Sequence, residues 1–156
     1  MKIEAGSKAP DFKLFDSDKN EVSLSDFAGK NVVILFFPQA FTGVCTTELC
    51  SVRDSLSQYD SLNAVVLAIS VDSIFTLAKF KEVQGFNFRL LSDFNKEVSA
   101  DYGSLYDTFV FGMKGVSKRS AFVVDGTGHI RYAQVNESAG DLPDFEAIKA
   151  TLEKLS

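Results

Sequence analysis

Cys45 and Cys50 are the two cysteines of this 156-residue chain, and they lie five residues apart in a short segment that opens at Pro38. Thiols so placed point to thiol redox chemistry. Cys45 follows an apolar run that ends at Pro38 and precedes a run with helical periodicity, so it stands at a helix start. There, amides without a carbonyl partner and the positive end of the helix dipole favour an anion, the form in which a thiol is nucleophilic. Thr42, three residues earlier, can bring a hydroxyl to donate to the sulfur or to an oxygen substrate. Pro38 ends the strand and helps keep water out of the pocket. A cation would complete the site. Arg119 is the best placed, because it comes just before an apolar strand that can neighbour the one ending at Pro38; a solvated arginine is the plainer alternative. Glu48 either complements the helix dipole or orients an arginine.

Cys50 sets a geometric condition. Residues five apart on an α-helix stand about 140° apart around the axis and about 7.5 Å apart along it. A disulfide needs Cα atoms about 4.4–6.8 Å apart. A bond between these sulfurs therefore demands local unwinding, and the β-branched Thr46 and Thr47 make the first turn suited to it. A strained, locally unfolded oxidised form marks a cycling disulfide rather than a structural one. The plainer reading of Cys50 is a small core residue, whereas a helix start is a wasteful place for an inert Cys45. Two cysteines and one histidine fall short of the usual four-ligand zinc site. A cysteine protease would need a histidine base, and His129 reads as a solvent-facing strand residue beside the turn at 126–128. Arg53 and Asp54 read as a surface pair.

The elements that must position these groups follow from periodicity. Residues 12–15 and 22–24 flank the polar stretch 16–20 and read as a hairpin. Residues 31–37 form a continuous apolar run, the pattern of a strand buried on both faces, and Pro38 stops it. Over 46–59, Leu49, Val52, Leu56 and Tyr59 recur at three- and four-residue steps and predict an amphipathic helix. A second buried strand covers 64–71 and a second helix 73–83. A short strand at 89–91 and a short helix at 96–102 follow, then an irregular stretch rich in glycine and aromatic residues to 118. Strands at 121–124 and 130–135 bracket Asp125-Gly126-Thr127-Gly128, a strong hairpin signal. Pro143 opens a last helix carrying Phe145, Ile148, Leu152 and Leu155 on one face. The order β-α-β-α-β-β-α implies an α/β fold, a central mixed sheet flanked by helices. Such sheets bind ligands near strand carboxyl ends, where Cys45 falls.

With 46% hydrophobic residues, the chain reads as one ordinary globular domain over 1–156. A net charge of −5, with only a small basic cluster at Lys114, Lys118 and Arg119, argues against nucleic acid and anionic membrane as partners. No apolar run reaches the roughly 20 residues of a membrane helix. The polar start shows no apolar leader, so a cytoplasmic location is expected. In that compartment, cysteines are catalytic or metal-binding more often than structural. Phe41, Phe109 and Phe111 lie in loop-like segments and are candidates for an association patch.

Taken together, these residues resemble the peroxiredoxin family. Pro38, Thr42 and Cys45 meet its Pro-x-x-x-Thr-x-x-Cys pattern, and Arg119 resembles its distant arginine before an apolar strand. Ala9-Pro10-Asp11-Phe12, Val71-Asp72 and Leu91-Ser92-Asp93 are also typical, so the likeness runs across nearly the whole chain. It implies a thioredoxin-like fold with an N-terminal β-hairpin and an insertion before the final ββα unit. It further implies a peroxidase in which Cys45 attacks hydrogen peroxide or an organic hydroperoxide within a pocket of Pro38, Thr42 and Arg119. No metal, haem or flavin is implied.

Two subgroups are matched in part. The Cys45/Cys50 spacing resembles the bacterioferritin comigratory protein (PrxQ) type. That implies resolution by Cys50 as an intrachain disulfide and recycling by thioredoxin or a similar thiol reductant. Phe36-Phe37-Pro38 with Ala40-Phe41-Thr42-Gly43 resembles the one-cysteine AhpE type, which implies an external thiol reductant. A monomer or a homodimer suits these resemblances. A dithiol oxidoreductase of the same fold would carry Cys-x-x-Cys and a proline before the third main strand. Here the spacing is Cys-x4-Cys and the prolines are Pro10, Pro38 and Pro143. A rival from another class is a non-catalytic thioredoxin-like interaction module, which would bind a partner through its aromatic loops and react with peroxide no faster than a free thiol.

Overall fold

The computed structural model describes residues 3–155. Along the chain come the hairpin β1 (Lys13–Phe15) and β2 (Glu21–Ser23), strand β3 (Asn31–Phe36), and helices α1 (Gly43–Asp54) and α2 (Leu56–Ser61). Strand β4 (Ala64–Ser70), helix α3 (Ile74–Gln84), strand β5 (Arg89–Ser92) and helix α4 (Glu97–Asp101) follow. Strands β6 (Ser120–Val124) and β7 (Ile130–Val135) and helix α5 (Phe145–Leu155) complete the order. The hairpin forms its own small sheet, and the other five strands pair as β5-β4-β3-β6-β7. Strands β3, β4 and β5 are parallel, while β6 runs antiparallel to β3 and to β7. This is the mixed sheet of a thioredoxin-like α/β fold.

The apolar run of β3 is buried at every position, as its lack of alternation requires. Side chains point to opposite faces in turn. Val33, Leu35 and Phe37 enter one core with residues of α1, α3 and α5. Val32, Ile34 and Phe36 enter a second core with Phe12, Val22, Val98 and Tyr102. Among the described residues no helix is long and apolar enough to cross a membrane.

The expected helix over 46–59 is the main departure. It starts three residues sooner, at Gly43, and is two helices: Ser55 leaves helical geometry (φ −111°, ψ 9°) and separates α1 from α2. Apolar spacing carries through that break because both pieces face the same core, so periodicity alone does not register it. The earlier start brings Cys45 inside the first turn. His129 is half-buried rather than solvent-facing; its ring lies 3.0 Å from Thr127 Oγ1, and its backbone bridges to Lys8.

Candidate active site

The chain leaves β3 at Pro38, which is buried, and must reverse within a few residues to start α1. Phe41 makes that reversal in the left-handed region (φ 63°), a conformation uncommon for a residue other than glycine. Two contacts hold it there. The Phe41 ring packs 5.0 Å from that of Phe80 on α3. Ala40 N–H donates to Asp72 Oδ2 (2.8 Å), which also accepts from Ser70 Oγ (2.7 Å). Asp72 thus ties the loop to the end of β4.

Thr42 is the N-cap of α1, extended at φ −103°, ψ 152°, and its carbonyl accepts the N–H of Thr46 at 2.9 Å. Cys45 therefore lies in the first turn, where amides have no carbonyl within the helix to bond. Its side chain is buried, 1% exposed.

Strand pairing delivers the cation. Ser120 on β6 stands opposite Phe36 on β3, so Arg119 emerges beside the end of β3 and above the start of α1. Its buried guanidinium makes three bonds. Nη2 donates to Cys45 Sγ (3.0 Å), Nη1 to Glu48 Oε1 (2.5 Å) and Nε to the carbonyl of Ala139 (2.9 Å). Three of its five N–H donors are thus in use. Glu48 is wholly buried, and its Oε2 has no hydrogen-bond partner among the described residues. Burial pushes its carboxyl up to about 7, with the charge and hydrogen bond of Arg119 pulling the other way. Burial acts against the charge of Arg119, yet Glu48 and Cys45 together outweigh it and leave the guanidinium more basic than usual.

A cavity of about 460 Å³ opens onto this cluster, and Pro38, Thr42, Cys45, Phe109, Phe111 and Arg119 are among its lining residues. Phe41 and Phe111 are exposed, Phe111 almost completely (99%). Phe109 is half-buried, its ring 5.1 Å from that of Tyr106.

The structure thus gathers Pro38, Thr42, Cys45, Glu48 and Arg119 around one cavity and its wall. One orientation differs from expectation. The Thr42 hydroxyl donates neither to the sulfur nor outward, but to the carbonyl of Gln39 (2.8 Å). With its proton so used, the hydroxyl is left with lone pairs as acceptors. Cys50 stands outside the cluster, five residues along the intact α1 and half-buried, and both cysteines are free thiols. Asp72 and Ala139 are parts of the frame that sequence reasoning missed as such. The only signal for Asp72 was its place at a strand end in Val71-Asp72, and a carbonyl contact like that of Ala139 leaves no trace in residue type.

Fold and site together define a thioredoxin-like protein with a buried thiol held against a guanidinium. Residues 5–133 match the model of the AhpC/TSA family, and the chain belongs to that family. It is similar to a candidate peroxiredoxin of Mycobacterium tuberculosis, with 41% identity over 140 residues and 88% of each chain covered. It is also similar to alkyl hydroperoxide reductase E of that organism, with 39% identity over 138 residues, 86% of this chain and 87% of the other. Among solved structures, peroxidoxin BcpB of M. tuberculosis superposes with a TM-score of 0.87 at 30% identity, covering 99% of each chain. Peroxiredoxin Q of Xanthomonas campestris does so with a TM-score of 0.84 at 26% identity, covering 96% of this chain and 97% of the other. The protein is a peroxiredoxin, a thiol-dependent peroxidase that consumes a hydroperoxide and a thiol reductant.

Proposed function

We propose that Cys45 is the peroxidatic residue. The observation that carries this is the Arg119 Nη2 to Cys45 Sγ contact of 3.0 Å in a cavity wall where both groups are buried. A guanidinium at that distance is placed to hold a sulfur anion through a charge-assisted hydrogen bond. The thiolate attacks the terminal oxygen of hydrogen peroxide or an organic hydroperoxide. An S–O bond forms as the O–O bond breaks, and the electron pair leaves with the distal oxygen, which takes a proton to become water or an alcohol. Cys45 is oxidised to a sulfenic acid.

Each neighbour has a role. Arg119 stabilises charge developing on the leaving oxygen. The Thr42 hydroxyl, its proton spent on Gln39, accepts from the peroxide O–H. Pro38 and the Cys45 amide complete the pocket, and Glu48 fixes the guanidinium from behind.

Cys50 then resolves the sulfenic acid as an intrachain disulfide, and a thioredoxin-type protein reduces that bond. This scheme suits a single cytoplasmic domain spanning 1–156. Cys45→Ser is expected to abolish peroxide consumption; turnover that survives it overturns the assignment. Cys50→Ser is expected to keep one rapid, stoichiometric oxidation and to lose thioredoxin-supported cycling. Full cycling in that variant would assign resolution to an external thiol instead.

A further inference from the structure

Resolution by Cys50 needs the first two turns of α1 to open, and the structure shows what holds the second turn closed. The Cys50 thiol donates to Gln84 Oε1, with sulfur and oxygen 3.6 Å apart. One turn further on, Arg53 Nη1 donates to the main-chain carbonyl of the same residue at 2.5 Å. Asn87 Nδ2 in turn donates to the carbonyl of Arg53 (3.4 Å). Gln84 is the last residue of α3, and Gly85 ends that helix in the left-handed conformation (φ 64°). The carbonyls of a helix end carry partial negative charge and lack partners within the helix, so a guanidinium is well matched to one. The α3 terminus therefore grips α1 twice, by the Cys50 thiol and by Arg53 just beyond it.

The two grips act differently. Arg53 anchors the helix past Cys50 and so confines unwinding to residues 43–50. Within that stretch the hydroxyls of Thr46 and Thr47 already bond to the carbonyls of Thr42 and Gly43 (2.9 and 3.0 Å), a pattern that weakens and bends helices. The amide oxygen of Gln84 accepts the S–H and so holds the Cys50 side chain against the end of α3.

We propose that Gln84 is a positioning residue that sets the lifetime of the Cys45 sulfenic acid by restraining Cys50. The inference rests on Cys50 being the resolving thiol. In the restrained step the Cys50 sulfur attacks the sulfenic sulfur, an S–S bond forms and the S–O bond breaks. Cys50 is oxidised, the sulfenic sulfur is reduced, and the thiol proton leaves with the oxygen as water. While the restraint holds, the sulfenic acid stays open to an external thiol. Gln84 thus governs the partition between the two reduction routes.

The test is a single turnover. The reduced protein is mixed with one equivalent of hydrogen peroxide and quenched over time with a cyclic 1,3-diketone that traps sulfenic acid. Mass spectrometry then counts trapped adduct against intrachain disulfide. Gln84→Ala is expected to shorten the sulfenic lifetime roughly five-fold, the worth of a modest hydrogen bond, with the rate of Cys45 oxidation unchanged. Gln84→Glu keeps an acceptor oxygen and is expected to hold the lifetime at or above that of the parent. An unchanged or longer lifetime in Gln84→Ala overturns the proposal, as does a Gln84→Glu that resolves as fast as Gln84→Ala. Failure of the underlying reading is visible in the parent protein alone: adduct would persist and no disulfide would form, whatever stands at position 84.

Discussion

Cys45 and Cys50 share one helix and stand only five residues apart, yet the two ends of that stretch are built on different principles. Cys45 is buried against a guanidinium that also holds a buried carboxylate. Cys50 is half-buried against a neutral amide oxygen on another helix. The first environment sets a cation against the sulfur, and the second sets a neutral acceptor against it. The ionic cluster sits where strand ends converge and apolar packing excludes water. The amide contact sits at the C-terminal end of α3. The two thiols thus differ by what each turn faces, not by the cysteine itself.

The sharpest way to break this comparison is to remove the cation. Arg119→Met alone would strand a buried Glu48, so the paired variant Arg119→Met with Glu48→Gln is the cleaner probe. It is expected to slow peroxide oxidation of Cys45 by about 100-fold or more. Alkylation of Cys50, measured site by site with a thiol reagent, is expected to be unaffected. Equal slowing of both cysteines would mean that the helix as a whole had been disturbed.

A smaller effect sharpens the electrostatic half. The Glu48 carboxyl is raised by burial from 4.5 to about 7 in the folded chain. Between those values the folded protein retains a proton that the unfolded chain has released. Its contribution to stability is therefore full below pH about 4.5 and is lost as pH climbs through about 7. Denaturant unfolding of the parent at pH 5 and pH 7.5 is expected to show a decline on the order of 2 kcal/mol from this group. In Glu48→Gln that decline disappears. A parent and variant with the same pH slope would remove Glu48 from the electrostatics of the site.

The smallest expected effect concerns the loop that starts α1. Asp72→Ala removes the acceptor for Ala40 N–H and Ser70 Oγ and is expected to cost about 1–2 kcal/mol of unfolding free energy. It should slow Cys45 oxidation less than loss of Arg119 does. A variant as stable as the parent would show that the Phe41–Phe80 contact holds the loop unaided.

Much of this architecture was legible in residue order. The unbroken apolar run ending at Pro38, the start of a helix next to Cys45 and the hairpin signal at Asp125–Gly128 are local patterns, and each appears within three residues of its expected place. The strand at β6 was legible too, and with it the neighbourhood of Arg119. What escaped was the break at Ser55, because two helices that face one core keep a common spacing of apolar residues. The direction of the Thr42 hydroxyl also escaped, since it depends on where the Gln39 carbonyl lies after the Phe41 reversal. Asp72 acts through an amide 32 residues away, a distance that periodicity does not reach.

Residue order by itself determined the type of each element, the thiol at a helix start and the five-residue interval that keeps two sulfurs apart on an intact helix. These are consequences of backbone geometry and side-chain type over a few neighbouring residues. Tertiary structure alone decided that a guanidinium 74 positions from Cys45 lies on its sulfur, that Glu48 is sealed behind it and that the end of α3 holds Cys50. Those outcomes depend on which strands pair and which helix faces meet. Such contacts are set by burial of apolar surface across the whole domain, and the polar groups of the site take their positions from that packing.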